Sequence, residues 1–138
     1  MLALEYLTLG ELTRGAIKYF AGRWYTPHIR LLEIGALGVW SGALGELFSS
    51  ADWSGLRYLS FRGCSLGYSG VSALADSPTL ASLRVLDLGG TGCANGGVAA
   101  LCSSESLANL NCLRLDGNEF LSGVHGDLRR RFGERVKF

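Results

Sequence analysis

The chain has 138 residues, 48% of them hydrophobic and 18% charged, with a formal net charge of +1. That composition suits one globular domain burying roughly 65–70% of its unfolded surface and excludes a disordered, strongly charged segment. Near-neutrality removes the simplest electrostatic argument for nucleic acid or an anionic membrane as partner, and no nucleic-acid partner is expected.

The chain opens on MLALEYLTLGEL, where Leu4, Leu7 and Leu9 have the spacing L-x-x-L-x-L. This start has no basic leader and carries Glu5 inside its apolar run, a poor secretion signal. The same triplet returns at Ile29, Leu32 and Ile34, then at Leu56, Leu59 and Phe61, at Leu83, Leu86 and Leu88, and at Leu110, Leu113 and Leu115. Triplets begin at 4, 29, 56, 83 and 110, so successive steps are 25, 27, 27 and 27. A fixed period of this size is the mark of a repeat architecture.

Within each period a second pattern follows. Leu44 and Leu47, Val71 and Leu74, and Val98 and Leu101 stand three apart, the spacing of one helical face. Trp53, Leu80 and Leu107 each precede the next triplet by three residues and mark the return to the next strand. A polar or small slot after the triplet holds Cys64, Thr91 and Asn118, and a closing apolar slot holds Val39, Leu66, Cys93 and Phe120. Leu12 and Leu37 occupy the polar slot in the first two units, so a ladder of buried polar bonds is expected to fail there. The chain ends in LRRRFGERVKF, with Leu128 and Phe132 four apart on an amphipathic helix and Val136 and Phe138 as a truncated strand: a C-terminal cap over about 124–138.

These units resemble leucine-rich repeats of the longer, ribonuclease-inhibitor-like class, L-x-x-L-x-L-x-x-N/C-x-L followed by a helix. Stretches such as LRVLDL, ALADSPTLASL and the ending LRRRFGERVKF are similar, more narrowly, to bacterial proteins in which such repeats follow a small companion domain. The resemblance implies an α/β solenoid, a parallel sheet on its concave face and helices outside, forming a single repeat domain over 1–138. It also implies a non-catalytic module that binds another protein in the cytoplasm. The alternative is a structural spacer or capping segment of a larger repeat protein.

On the concave face, strand alternation places three sets of side chains. The first comprises Tyr6, Leu31, Tyr58, Val85 and Cys112, the second Thr8, Glu33, Ser60, Asp87 and Arg114, and the third includes Arg62 and Asp116. The candidate partner-binding residues are therefore Tyr6, Glu33, Tyr58, Ser60, Arg62, Val85, Asp87, Cys112, Arg114 and Asp116. Tyrosine and arginine are common anchors of protein interfaces. Arg30, Arg57 and Arg84 form a further column, open to two readings, a binding edge or framework packed along the sheet. The N-terminal end lacks an evident cap. Either Phe20, Trp24 and Tyr25 plug it, or the chain continues a longer protein; an uncovered edge there invites self-association.

The stretch GTGCANG, Gly90 to Gly96, approaches a dinucleotide-binding loop, in which glycine amides meet a pyrophosphate at a helix N-terminus. One period earlier GCSLGYSG does the same topological job with other residues, so these glycines are expected to be repeat turns and no cofactor is expected. The cysteines at 64, 93, 102 and 112 form no Cys-x-x-Cys pair, and His28 and His125 lie far apart, so no metal site is expected. Cys64, Cys93 and Cys102 read as buried packing thiols, His28 as a turn residue and His125, one period after Val98, as partly buried. Without a base beside Cys112, nothing supports an enzyme.

Overall fold

The computed structural model describes residues 4–11, 13–21, 23, 26–35 and 42–138. Leu12, Leu37, Val39, Trp24 and Tyr25, named above for the polar slot, the closing slot and the N-terminal plug, lie outside the described residues.

Each triplet forms a short strand: β1 (Tyr6–Leu9), β2 (Leu31–Ile34), β3 (Tyr58–Ser60), β4 (Val85–Asp87), β5 (Cys112–Arg114) and a last strand, β6 (Val136–Lys137). Among the described residues five α-helices alternate with them: α1 (Arg14–Phe20), α2 (Ala43–Ser50), α3 (Gly67–Ala75), α4 (Asn95–Ser103) and α5 (Val124–Phe132). The strands make one open parallel sheet in the order β1-β2-β3-β4-β5-β6. Sequence order equals spatial order, an α/β arrangement compatible with a solenoid.

Register follows the period. Leu32, Leu59 and Leu86 are successive cross-strand partners, followed by Leu113 and Val136. All five side chains are buried at 3% exposure or less, whereas Leu7, their partner on the edge strand, is only half-buried. The helices supply the other half of the core through Leu44, Leu47, Val71, Leu74, Val98, Leu101, Leu128 and Phe132. Trp53, Leu80 and Leu107 are fully buried on the return segments. Trp53 sits edge-on against both Phe20 and Phe48, and its indole N–H donates to the Leu47 carbonyl at 2.9 Å.

The polar slot closes the turns. The Cys64 thiol donates to the Ile34 carbonyl one unit back, and the Thr91 hydroxyl donates to the Leu88 carbonyl at 2.7 Å. Asn118 does more: its Oδ1 accepts from the amides of Thr91 and Cys93, while its Nδ2 donates to the carbonyls of Leu88 and Leu115. Four backbone groups of the turn are thereby bonded, of which the Leu88 carbonyl shares Asn118 with the Thr91 hydroxyl.

The C-terminal segment packs as a cap. Leu128 and Phe132 face the core, and Val136 pairs with Leu113. Arg131 donates to the carbonyls of Cys102 and Ser104, and Arg135 to those of Leu110, Phe132 and Arg131. Two of the tail's basic groups thus cap backbone rather than face outward. His125 departs from the expected half-burial. Helix starts drift from 67 to 95 to 124, so Val124 takes the inward place and His125 is exposed, between Phe120 and Phe138.

Candidate functional site

One face of the sheet carries the core; the other carries the residues that alternate with it. By register Tyr6, Leu31, Tyr58, Val85 and Cys112 make one continuous row, and Thr8, Glu33, Ser60, Asp87, Arg114 and Lys137 a second. At about 4.8 Å per strand the first row is about 19 Å long. Tyr6 is 66% exposed, while Leu31, Tyr58, Val85 and Cys112 are half-buried. All ten candidate residues lie on this face or at the strand exits beside it. They do not present themselves equally: Ser60 and Asp87 are buried.

Asp87 is buried because Arg62 and its neighbours cover it. The Arg62 guanidinium meets Asp116 with two parallel bonds, 2.8 and 2.7 Å, and sends Nε to Asp87 Oδ2 at 2.9 Å. Asp87 Oδ1 accepts from the Gly89 amide, and Arg114 stands 3.8 Å from Asp87 Oδ2. The four charges sum to zero. Hydrogen bonding to Asp116 first, and to Asp87 second, raises the Arg62 pKa above its ordinary value; the same bond to Arg62 holds the Asp116 carboxyl below the usual aspartate range. Bidentate guanidinium–carboxylate pairing of this kind fixes orientation as well as charge. Arg114 also has Cys112 beside it on β5, the first cause of its raised pKa.

Arg62 reaches a partner two periods away only because the residue between them has no side chain. A Cβ on Gly89 would stand 2.5 Å from the Arg62 Cζ. Gly89 does not have positive φ, so alanine fits its backbone and the conflict is purely with the guanidinium. Gly89→Ala is therefore expected to lift Arg62 from Asp116 while leaving the fold in place. Asp116 should then titrate nearer the ordinary aspartate value. In the wild type the folded pKa is the lower one, so the pair's contribution is complete above the unfolded pKa and is lost as pH falls through the folded value. The variant's acid-unfolding midpoint should move to higher pH, and a carboxyl-carbon NMR titration with unchanged Asp116 would refute this account.

The arginine column resolves toward framework. Arg30 donates to Gly55, Arg57 to Ser82 and Arg84 to Asn109, in each case a backbone carbonyl 25 residues on. Among the described residues no carboxylate lies within ion-pair distance of these three side chains.

The glycine-rich stretch forms a repeat turn. Gly63, Gly90 and Gly117 are one period apart and share positive φ of 76°, 61° and 73°, a region that favours glycine. The amides of Gly90, Thr91 and Cys93 donate to Asp116 and Asn118. Among the described residues no group of three metal-ligating side chains exists, and no helix is long and apolar enough to cross a membrane. Burial pushes the Cys93 thiol up to about 11 and raises Cys102, where Asp127 adds to the effect. Neither is a thiolate nucleophile at neutral pH.

Between Thr8, Glu33, Tyr58, Ser60 and Arg62 the open face dips into a basin of about 430 Å³, with Asp87 and Arg114 on its far wall. Sequence reasoning brought these residues to one face but missed Gly89, which lets Arg62 cross, and the basin itself.

No family model matches the chain, and no curated protein matches it. Solved structures do. One is the crystal structure of a Bacteroides fragilis protein obtained as a structural-genomics target, at TM-score 0.65 and 15% sequence identity. The match covers 80% of this chain and 34% of that one, so the chain spans about a third of that protein's length. At such identity the likeness is one of fold.

Proposed function

We propose that the chain is a leucine-rich repeat solenoid of the ribonuclease-inhibitor-like class, a non-catalytic module that binds a protein partner across its helix-free sheet face. The observation that supports this reading best is the row Tyr6, Leu31, Tyr58, Val85 and Cys112. It is apolar, partly exposed and continuous across five strands, with no helix of the described residues over it. Rigid rows of this kind present contact area at little conformational cost. The four free cysteines suit a reducing compartment, consistent with action in the cytoplasm. The edge of β1, where Leu4 is 45% and Tyr6 66% exposed, is where self-association would occur.

The spacer reading draws on the arginine column, each member of which donates to a backbone carbonyl of the next unit, Arg57 also to Ser54 and Leu56 of its own. One experiment separates the two. Replacing Tyr6 and Tyr58 together by alanine should abolish capture of a partner from native lysate while lowering the melting temperature by about 5 °C or less, since neither side chain is in the core. Undiminished capture by the double variant would favour the spacer.

A further inference from the structure

Among the described residues of the open face, Glu33 is the charged group that the fold does not use. It is half-buried on β2, lines the basin, and among the described residues it has no hydrogen-bond or ion-pair partner. The other charges around the basin answer one another: Arg62 and Arg114 are balanced by Asp87 and Asp116 through contacts of 2.7–3.8 Å. The carboxylate of Glu33 is left as the basin's uncompensated charge. A carboxylate on the wall of a basin, with no cation of the fold set against it, is complemented by a positive group.

Its surroundings specify the kind of cation. Glu33 pairs in register with Ser60, so Tyr58, two residues before Ser60 on β3, stands on the same face one strand across. An aromatic ring beside a carboxylate suits a cation with a flat or apolar stem, whose charge meets the oxygen while its face meets the ring. The hydroxyls of Thr8 and Ser60 line the same basin and offer acceptors for further N–H donors. The volume, about 430 Å³, admits one long side chain rather than a folded element.

We infer that the basin receives a single basic side chain, arginine or lysine, projecting from the partner protein, with Glu33 as its counter-ion and Tyr58 as its cover. This rests on the reading of the helix-free face as a binding surface and names the chemistry that surface selects. Glu33 contributes nothing to holding the fold, so its removal changes recognition and leaves stability alone.

The test is an NMR titration of the whole chain with a blocked alanine–arginine–alanine peptide, beside its citrulline analogue, which keeps the shape and lacks the charge. The arginine peptide should shift the amides of residues 33–35 and 58–60 saturably, in the millimolar range expected for one anchor residue. Glu33→Gln and the citrulline analogue should each weaken this about tenfold or more, the size of a lost charge-assisted bond. Glu33→Gln should melt no lower than the wild type. Equal shifts in Glu33→Gln, equal shifts from citrulline, no localised shift at about 20 mM peptide, or a clear loss of stability in Glu33→Gln would each overturn the inference. The binding-surface reading fails separately: if the tyrosine double variant loses its partner while Glu33→Gln keeps it, the face binds but not through this cation.

Discussion

Replacing Asn118 by alanine should destabilise the protein by about 3–4 kcal/mol, a loss out of proportion to a half-buried side chain. The amides of Thr91 and Cys93 and the carbonyls of Leu88 and Leu115 each take a bond from this one amide group. Truncation takes that partner from two donors and from the Leu115 carbonyl, in a turn that water reaches only in part, at about 1–3 kcal/mol for each group left dry; the Leu88 carbonyl keeps the Thr91 hydroxyl. Asn118→Asp should fall between wild type and alanine, because it keeps the acceptor that serves Thr91 and Cys93 and loses both donations. Chemical denaturation of the three proteins measures this directly. If alanine costs less than about 1 kcal/mol, water replaces the side chain and the turn is not organised by it.

Trp53→Ala should be of similar or larger effect, about 3–5 kcal/mol. Trp53 is fully buried, among the largest side chains in the core, and it contacts Phe20 of α1 and Phe48 of α2 edge-on. Its removal opens a cavity between the first two units and takes the indole's bond from the Leu47 carbonyl, which keeps only the longer one from the Ser50 hydroxyl. Trp53→Phe should recover most of the packing and none of the hydrogen bond, which separates the two contributions. Hydrogen exchange should show the loss concentrated in β1 and β2, since that is where the aromatic contact joins one unit to the next. Uniform loss across all strands would mean that the units do not open independently.

Much of the fold was legible because a repeat states its register five times. Leu59, Leu86 and Leu113 share a position in the period and are cross-strand partners. The polar slot was legible for the same reason, and Cys64, Thr91 and Asn118 each use it to close a turn. Counting by 27 fails where an element slips. His125 follows Val98 by one period, but α5 begins late and turns that position outward. The site was legible as a face and not as a geometry. Nothing in the spelling of Arg30, Arg57 and Arg84 says that they end on carbonyls of the next return. Gly89 reads as one more turn residue, because its necessity depends on a side chain 27 residues earlier in the chain.

Most contacts in this stack join a unit to the one beside it, and a chain of such links melts piecemeal, each piece at its own temperature. The Arg62–Asp116 bond does not obey that scheme, since it vaults over the intervening unit and ties residues 54 positions apart. The unit at β4 therefore sits beneath a bridge anchored on both neighbours. Both ends of that bridge are nearly half exposed, so solvent screens it, and it favours joint opening of β3 to β5 without fusing them; fraying should begin in the stretch before Tyr58.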